Sequence, residues 1–330
     1  MDKIDFVVTW VDGNDPEWLA ERAKYMPKKE NSGNSENRFR DWGLMRYWFR
    51  GVEKFAPWVN HIYFITWGHV PEWLNLEHEK LKIVKHSDYI PAEYLPTFNS
   101  NVIELNLHRI PELSEQFVLF NDDMFLLDHV TEKDFFRKGL PCDTARLSYL
   151  HSAEIRDVFP HTILNCTTII NKHFIKREVL RKNWLKFFSL QYGMDCIRNI
   201  LHLTFKNFSS FYDLHLPTSH LKSTFFEVWN QEACVLKECG IHRFRTQEDV
   251  MHWLMKYWRF CKGEFMPRSV KWGRCFEIGN DDCMCDAIRK QMYKACCLND
   301  SYTDIDFAHY KELLVDAFET VLPEKSKFEK

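Results

Sequence analysis

The chain has 330 residues, a formal net charge of −3 and an aromatic share of 15%. At that length roughly three quarters of the unfolded surface can be hidden, enough for one large core or two smaller ones. The near-neutral balance excludes the basic footprint of a nucleic-acid binder, and no run of about 18 apolar residues offers a membrane-spanning helix. Met1-Asp-Lys-Ile-Asp5 runs straight into an apolar strand without the pattern of a signal peptide. The cysteine total of 11 is odd, and its spread from Cys142 to Cys297 fits reduced thiols in a cytoplasm. Cys275, Cys283, Cys285, Cys296 and Cys297 lack a paired C-x-x-C spacing, which argues against structural zinc.

Ile4 to Val11 is β-branched and aromatic, a first strand stopped by the turn Asp12-Gly-Asn-Asp-Pro16. Neither a G-x-G-x-x-G nor a P-loop follows. Asp12 is therefore a turn former or a ligand to a sugar or base. Lys24 to Asn37 is polar and reads as a loop. A helix is predicted over Asp41–Phe55 with Leu44, Tyr47, Trp48 and Val52 inward. Arg46 and Arg50 lie four apart on it, able to hold a diphosphate or simply to form a solvated face.

His61–Thr66 and Leu81–Val84 read as strands. Asn99 or Ser100 can cap a helix over Val102–Ile110, with Glu104 near its start. Phe117-Val-Leu-Phe120 is a buried strand that runs into Asn121-Asp122-Asp123. Two adjacent acids cannot stay unpaired inside a sheet, so they belong at its carboxyl edge, where open α/β sheets place ligands; there they are either a metal or phosphate site or a plain turn or helix cap. Strand, helix, strand, strand, helix, strand argues for an α/β domain with a mostly parallel sheet.

Beyond residue 130 the pattern becomes helix-rich. Lys172 to Tyr192 is predicted as one basic amphipathic helix, either a solvated face or a dock for an anionic membrane surface or glycan. His215-Leu-Pro-Thr-Ser-His220-Leu-Lys222 sets two histidines and a lysine around a proline. Pro217 argues against a helical metal pair, so phosphate contact or general-base work fits better. Arg243 to Asp249 is a second charged knot, and Tyr310 to Val321 is a packing helix. The predicted divisions are a nucleotide-binding core at 1–130, a helix-rich part at 131–300 that completes the active site, and a C-terminal packing helix and tail at 301–330.

Four groups of these residues, in order, resemble the conserved blocks of the Stealth family of sugar-1-phosphate transferases. They are Ile4–Pro16; Arg38 through Leu44–Tyr47, Ala56–Val59, Leu95–Ser100, Glu104 and His108-Arg109 to Asn121-Asp-Asp123; His215–Pro217 with Phe244-Arg245 and Glu248-Asp249; and Cys297-Leu-Asn-Asp300. The resemblance implies a Rossmann-like, glycosyltransferase-A-like core and transfer of a sugar-1-phosphate from a UDP-sugar, UDP-N-acetylglucosamine or similar. The acceptor would be a hydroxyl of a glycan or lipid-linked oligosaccharide in capsular or cell-surface polysaccharide synthesis, with UMP released. It implies a divalent cation, Mg2+ or Mn2+; the thiols point to a cytoplasmic enzyme, and the basic stretch after Lys172 to peripheral contact at the inner membrane face. The positions matching the family's essential residues are Glu104, Asp123, His215 and Arg245.

Magnesium takes carboxylate oxygens together with phosphate oxygens and water, so Asp122, Asp123 and Asp300 are the metal candidates. Arg245 suits a bidentate hold on a diphosphate. His215 is the favoured base, with Glu104 as its rival. Asp12, Arg46, Arg50, Asn99, Asn121, Lys222 and Asn299 are the candidate substrate contacts. The competing readings are a metal-dependent glycosyltransferase releasing UDP, and a non-catalytic glycan-binding protein.

Overall fold

The computed structural model describes residues 3–26, 33–34, 39–150, 157–302 and 304–330. Most of the predicted polar loop, 27–32 and 35–37, and also Arg38, lie outside the described residues. Lys24 and Tyr25 belong instead to helix α1 (Pro16–Tyr25), which the sequence reading had only as a turn. Its start is built by Asp15, whose carboxylate accepts the Trp18 N–H at 2.7 Å, with proline at the first helical position.

Four strands, β1 (Ile4–Thr9), β2 (Ile62–Thr66), β3 (Leu81–Lys85) and β4 (Gln116–Phe120), run parallel in the order β3-β2-β1-β4. Just past β4, the short β5 (Met124–Leu126) leaves this sheet for another. The outer edge of β4 is covered by β6 (Thr218–Leu221), antiparallel and supplied by the second half of the chain. The chain is thus an α/β protein with a Rossmann-like, mostly parallel sheet and a helix-rich second half.

Strand residues alternate between two cores. Phe6, Val8, Val118 and Phe120 face one core, while Val7, Phe117 and Leu119 face the other. Burial of each such side chain stabilises the fold by about 1.5–3 kcal/mol. Helix α2 (Met45–Phe55) lays Trp48 edge-on to Phe120, with ring centroids 5.4 Å apart.

The predicted helix after Asn99 is shorter than expected. Helix α3 (Ser100–Leu105) ends where Asn106 Nδ2 donates back to the Val102 carbonyl at 2.8 Å, and a 3-10 turn, Leu107–Arg109, follows. The basic stretch after Lys172 is not one helix. Helix α4 (Phe159–His173) stops, α5 (Lys176–Lys182) follows, and Trp184–Phe187 forms a separate turn. Lys176 is buried, and its ammonium caps the His202 carbonyl at 2.6 Å and those of Phe205 and Asn207 at 3.2 Å. A side chain so anchored cannot belong to a solvated stripe.

Helix α6 (Trp253–Lys262) packs on the second core, and a small sheet pairs β7 (Gly273–Glu277) with β8 (Ala295–Asn299) and β5. Helix α7 (Phe307–Val321) closes the first core through Phe318, as the C-terminal stripe predicts. Among the described residues, no helix is long and apolar enough to cross a membrane.

Candidate active site

From β1 the chain moves to β2 and β3 on one side and returns to β4 on the other. The carboxyl ends of β1 and β4 therefore flank a topological switch point, where such sheets open a crevice. A cleft lies there, lined by Thr9, Trp10 and Val11 after β1 and by Asn121, Asp122 and Asp123 after β4. Glu104, His215, Arg245, Asn299 and Asp300 line the same cleft. All four positions singled out as essential, and all three metal candidates, are brought together.

Glu104 and Arg245 are delivered by two zipped segments. The Phe98 N–H donates to the Arg243 carbonyl at 2.8 Å, and the Phe98 and Phe244 rings stack with centroids 5.2 Å apart. Buried Asp249 ties the segments, accepting from Asn99 Nδ2 at 2.8 Å, Asn101 Nδ2 at 3.2 Å and the Thr246 N–H at 3.1 Å. Arg245 Nη2 donates to Ser100 Oγ at 2.5 Å, one turn before Glu104. Burial pushes the Glu104 carboxyl up to about 7 against the opposing pull of Arg245 and His215.

His215 occupies a left-handed backbone conformation, φ 49°, that histidine adopts more readily than bulky residues. Its N–H donates to Asp213 Oδ1 at 2.6 Å, and Asp213 is in turn held by Lys256 Nζ at 2.5 Å. Burial alone would depress the imidazole, but a Cys275 hydrogen bond and the Asp123 and Asp213 carboxylates raise it to about 9. Cys275 and Cys297 are directly paired across β7 and β8, and Cys297 Sγ lies 3.7 Å from His215 Nδ1. The three ligating atoms lie within 4.8 Å of one another, a soft grouping that the cysteine spacing did not foretell.

Asp122 and Asp123 meet at the strand end. Asp122 is exposed at the cleft mouth, yet the protein crowded around its carboxyl, then the Asp123 and Asp41 charges, push it upward. Asp123 Oδ1 is buried with no hydrogen-bond partner, the signature of a carboxylate short of a ligand. These residues fit a hard divalent cation that also binds phosphate oxygens. Asp300 Oδ2 is already engaged, accepting from Trp42 Nε1 at 3.1 Å and facing Arg40 Nη1 at 3.5 Å.

Five of the candidate substrate contacts sit away from the cleft lining. Arg50 is buried, with Nε on Glu329 at 2.8 Å and Nη1 on Glu319 at 3.1 Å, so although it lies one turn from Arg46 on the same helix, its guanidinium is committed to clamping Glu319 and Glu329 to α2. The Arg46 guanidinium stands 5.3 Å from the Trp73 ring. Lys222 caps the carbonyls of Ile110 at 2.7 Å and Leu113 at 3.2 Å. Asn99 is the N-cap of α3 and the partner of Asp249. Asp12 closes its turn by accepting the Asn14 N–H at 2.9 Å, beside the cleft. Asn299 does line it, donating to Glu277 Oε1 at 2.8 Å.

His252 and Asp41, which the sequence does not mark as site residues, also line the cleft, as does Ser100, which it offers only as a helix cap. His252 Nε2 lies 3.8 Å from Glu104 Oε2, and His220 Nε2 lies 3.0 Å from His252 Nδ1, so His220 backs the site from β6. Nothing in the spacing of His220 and His252 announces that pairing.

Family models for the Stealth protein match conserved region 1 at residues 2–30, conserved region 2 at 38–142 and conserved region 4 at 286–330. A capsular polysaccharide phosphotransferase, WcwK, of Streptococcus pneumoniae is 45% identical over 100% of this chain and 99% of its own. The exopolysaccharide phosphotransferase cps2G of Lactiplantibacillus plantarum is 40% identical over 99% of this chain and 96% of its own. The receptor polysaccharide phosphotransferase WefC of Streptococcus gordonii is 41% identical over 100% and 99%. Among solved structures, the galactosyltransferase LgtC aligns over 98% of each chain at 9% identity with a TM-score of 0.39, too distant to inform the chemistry. With full-length identity at this level and three matching regions, the chain belongs to the Stealth family and is an enzyme of the phosphotransferase class.

Proposed function

We propose that this enzyme transfers a sugar-1-phosphate from a UDP-sugar, UDP-N-acetylglucosamine or a similar donor, to a hydroxyl of a glycan acceptor, releasing UMP. The product would be a phosphodiester-linked capsular or cell-surface polysaccharide. One observation carries this reading: Glu104, Asp122, Asp123, His215 and Arg245, remote in sequence, line one cleft at the sheet's switch point. The full-length relatives, all polysaccharide phosphotransferases by name, support it.

The acceptor hydroxyl oxygen attacks the β-phosphorus. A new P–O bond forms, the bond to the bridging oxygen of UMP breaks, and the hydroxyl proton must leave. Such transfers gain mainly from positioning and from neutralising the phosphoryl oxygens. Arg245, steadied by Ser100, offers a fork of N–H donors to the diphosphate. Asp122 and Asp123 would hold magnesium or manganese, which supplies further positive charge to those oxygens.

Sequence alone favours His215 as base, whereas its surroundings support the opposite division of labour. A carboxyl raised to about 7 is poised to accept a proton near neutrality, so Glu104 takes the hydroxyl proton. An imidazole raised to about 9 stays protonated and donates to the transferred phosphoryl group.

On this reading the enzyme works in the cytoplasm on a glycan or lipid-linked oligosaccharide acceptor. The test is the nucleotide left after the protein meets UDP-N-acetylglucosamine, magnesium and a capsule-type oligosaccharide. UMP is expected. UDP would mean attack at the anomeric carbon by a glycosyltransferase.

A further inference from the structure

Large apolar side chains are exposed in unusual density between Ile175 and Phe205. Leu185 is 84% exposed, Leu190 94% and Met194 77%, and Ile175, Trp184 and Leu201 are exposed beside them. They sit on short pieces of helix, Lys176–Lys182, Trp184–Phe187 and Asp195–Leu201, not on one amphipathic rod. Large apolar side chains left exposed at this density in one segment point to an interaction surface. The same segment exposes Arg177, Arg181, Lys182, Arg198 and Lys206. Its acids are few: Glu178 is exposed, and Asp195 is tied to Arg146 at 3.1 Å.

We infer that this apolar surface, rimmed by arginine and lysine, docks the enzyme on an anionic lipid bilayer. Leucine, methionine and tryptophan side chains enter the headgroup–acyl boundary while the basic rim meets lipid phosphates. A second copy of the chain is the less suitable occupant. A symmetric pair would set the basic rims against each other, and like charges across an interface are costly.

The surface is also placed for the chemistry. The first turns of α4, at Phe159 and Thr162, line the cleft, and its last residues lead into Ile175. The helix has 15 residues, a length of about 22 Å, so a bilayer-bound acceptor lies one helix length from the transfer site. That part of the inference rests on the proposed lipid-linked acceptor; the docking does not.

Co-sedimentation of the full chain with phosphatidylglycerol–phosphatidylcholine vesicles, against phosphatidylcholine alone, tests it. Binding is expected on the anionic vesicles and should weaken as salt screens the rim. The combined variant Leu185→Asp, Leu190→Asp, Met194→Asp should bind about tenfold more weakly or worse. Its turnover of a lipid-free acceptor should match that of the unaltered enzyme, separating failure of this surface from failure of the transferase reading. Equal vesicle binding by the variant would overturn the inference, and so would no binding to anionic vesicles. A dimer in sedimentation equilibrium that the variant converts to monomer would do the same.

Discussion

Asn99 Nδ2 donates to Asp249 Oδ2 at 2.8 Å across 150 residues of sequence, and this bond joins the two segments that carry Glu104 and Arg245. Asp249 is fully buried and also accepts from His242 Nδ1 at 2.7 Å. Replacing it with alanine leaves several buried donors unsatisfied, each costing about 1–3 kcal/mol. Asp249→Ala is therefore expected to lose about 3 kcal/mol or more in urea unfolding. Its remaining folded fraction should show reduced turnover, because Arg245 and Glu104 lose their common brace. Wild-type stability in that variant would contradict the role given to Asp249.

The pH profile separates the two possible bases. If Glu104 accepts the proton, activity falls as pH drops through about 7, where buried Glu104 becomes protonated. If His215 acts as a protonated donor, activity falls again as pH rises through about 9. A bell between those limits is expected for kcat/KM, and His215→Gln should remove its alkaline limb. A rate that climbs through pH 9 and stays high would return the base role to His215.

Asp123, in the cleft after β4, carries a buried carboxylate oxygen, Oδ1, without a hydrogen-bond partner. Chelation of divalent ions is expected to abolish turnover, and magnesium or manganese should restore it. Asp123→Asn should cut turnover by about 10²-fold or more and shift the restoring ion concentration upward by about 10- to 100-fold. An unaltered magnesium response would exclude Asp123 as a ligand.

Arg50 supplies a control from outside the cleft. Its partner Glu329 is almost fully buried, with 2% side-chain exposure, so Arg50→Ala strands a carboxylate. A loss of about 3–5 kcal/mol in unfolding free energy is expected. The donor KM should stay the same at temperatures where the variant is folded. A raised KM with unchanged stability would restore Arg50 to the diphosphate.

The sheet and the acidic turn were legible because Phe117–Phe120 combines an apolar run with two acids that cannot be buried unpaired. The family blocks marked Glu104, His215 and Arg245 in the same way. What the sequence did not disclose is mostly tertiary. Arg46 and Arg50 share helical spacing, yet the C-terminal Glu329 draws one of them inward. Lys176 reads as part of a solvated stripe until three carbonyls from residues 202–207 claim its ammonium. Asp249 and His252 gain their meaning only from partners more than a hundred residues away in Asn99 and Glu104. Helix α1, by contrast, was readable: Asp15-Pro16-Glu17 is a capping signal that the adjacent glycine turn concealed.

The most direct measurement follows the β-phosphorus of the donor. UDP-N-acetylglucosamine labelled at that atom would be given to the enzyme with magnesium and a capsule-type acceptor, and the products separated. Label in the glycan with unlabelled UMP released is the expected result. Label retained in UDP, with a phosphorus-free glycan product, would contradict sugar-1-phosphate transfer and the arrangement of Glu104, His215 and Arg245 around that phosphorus.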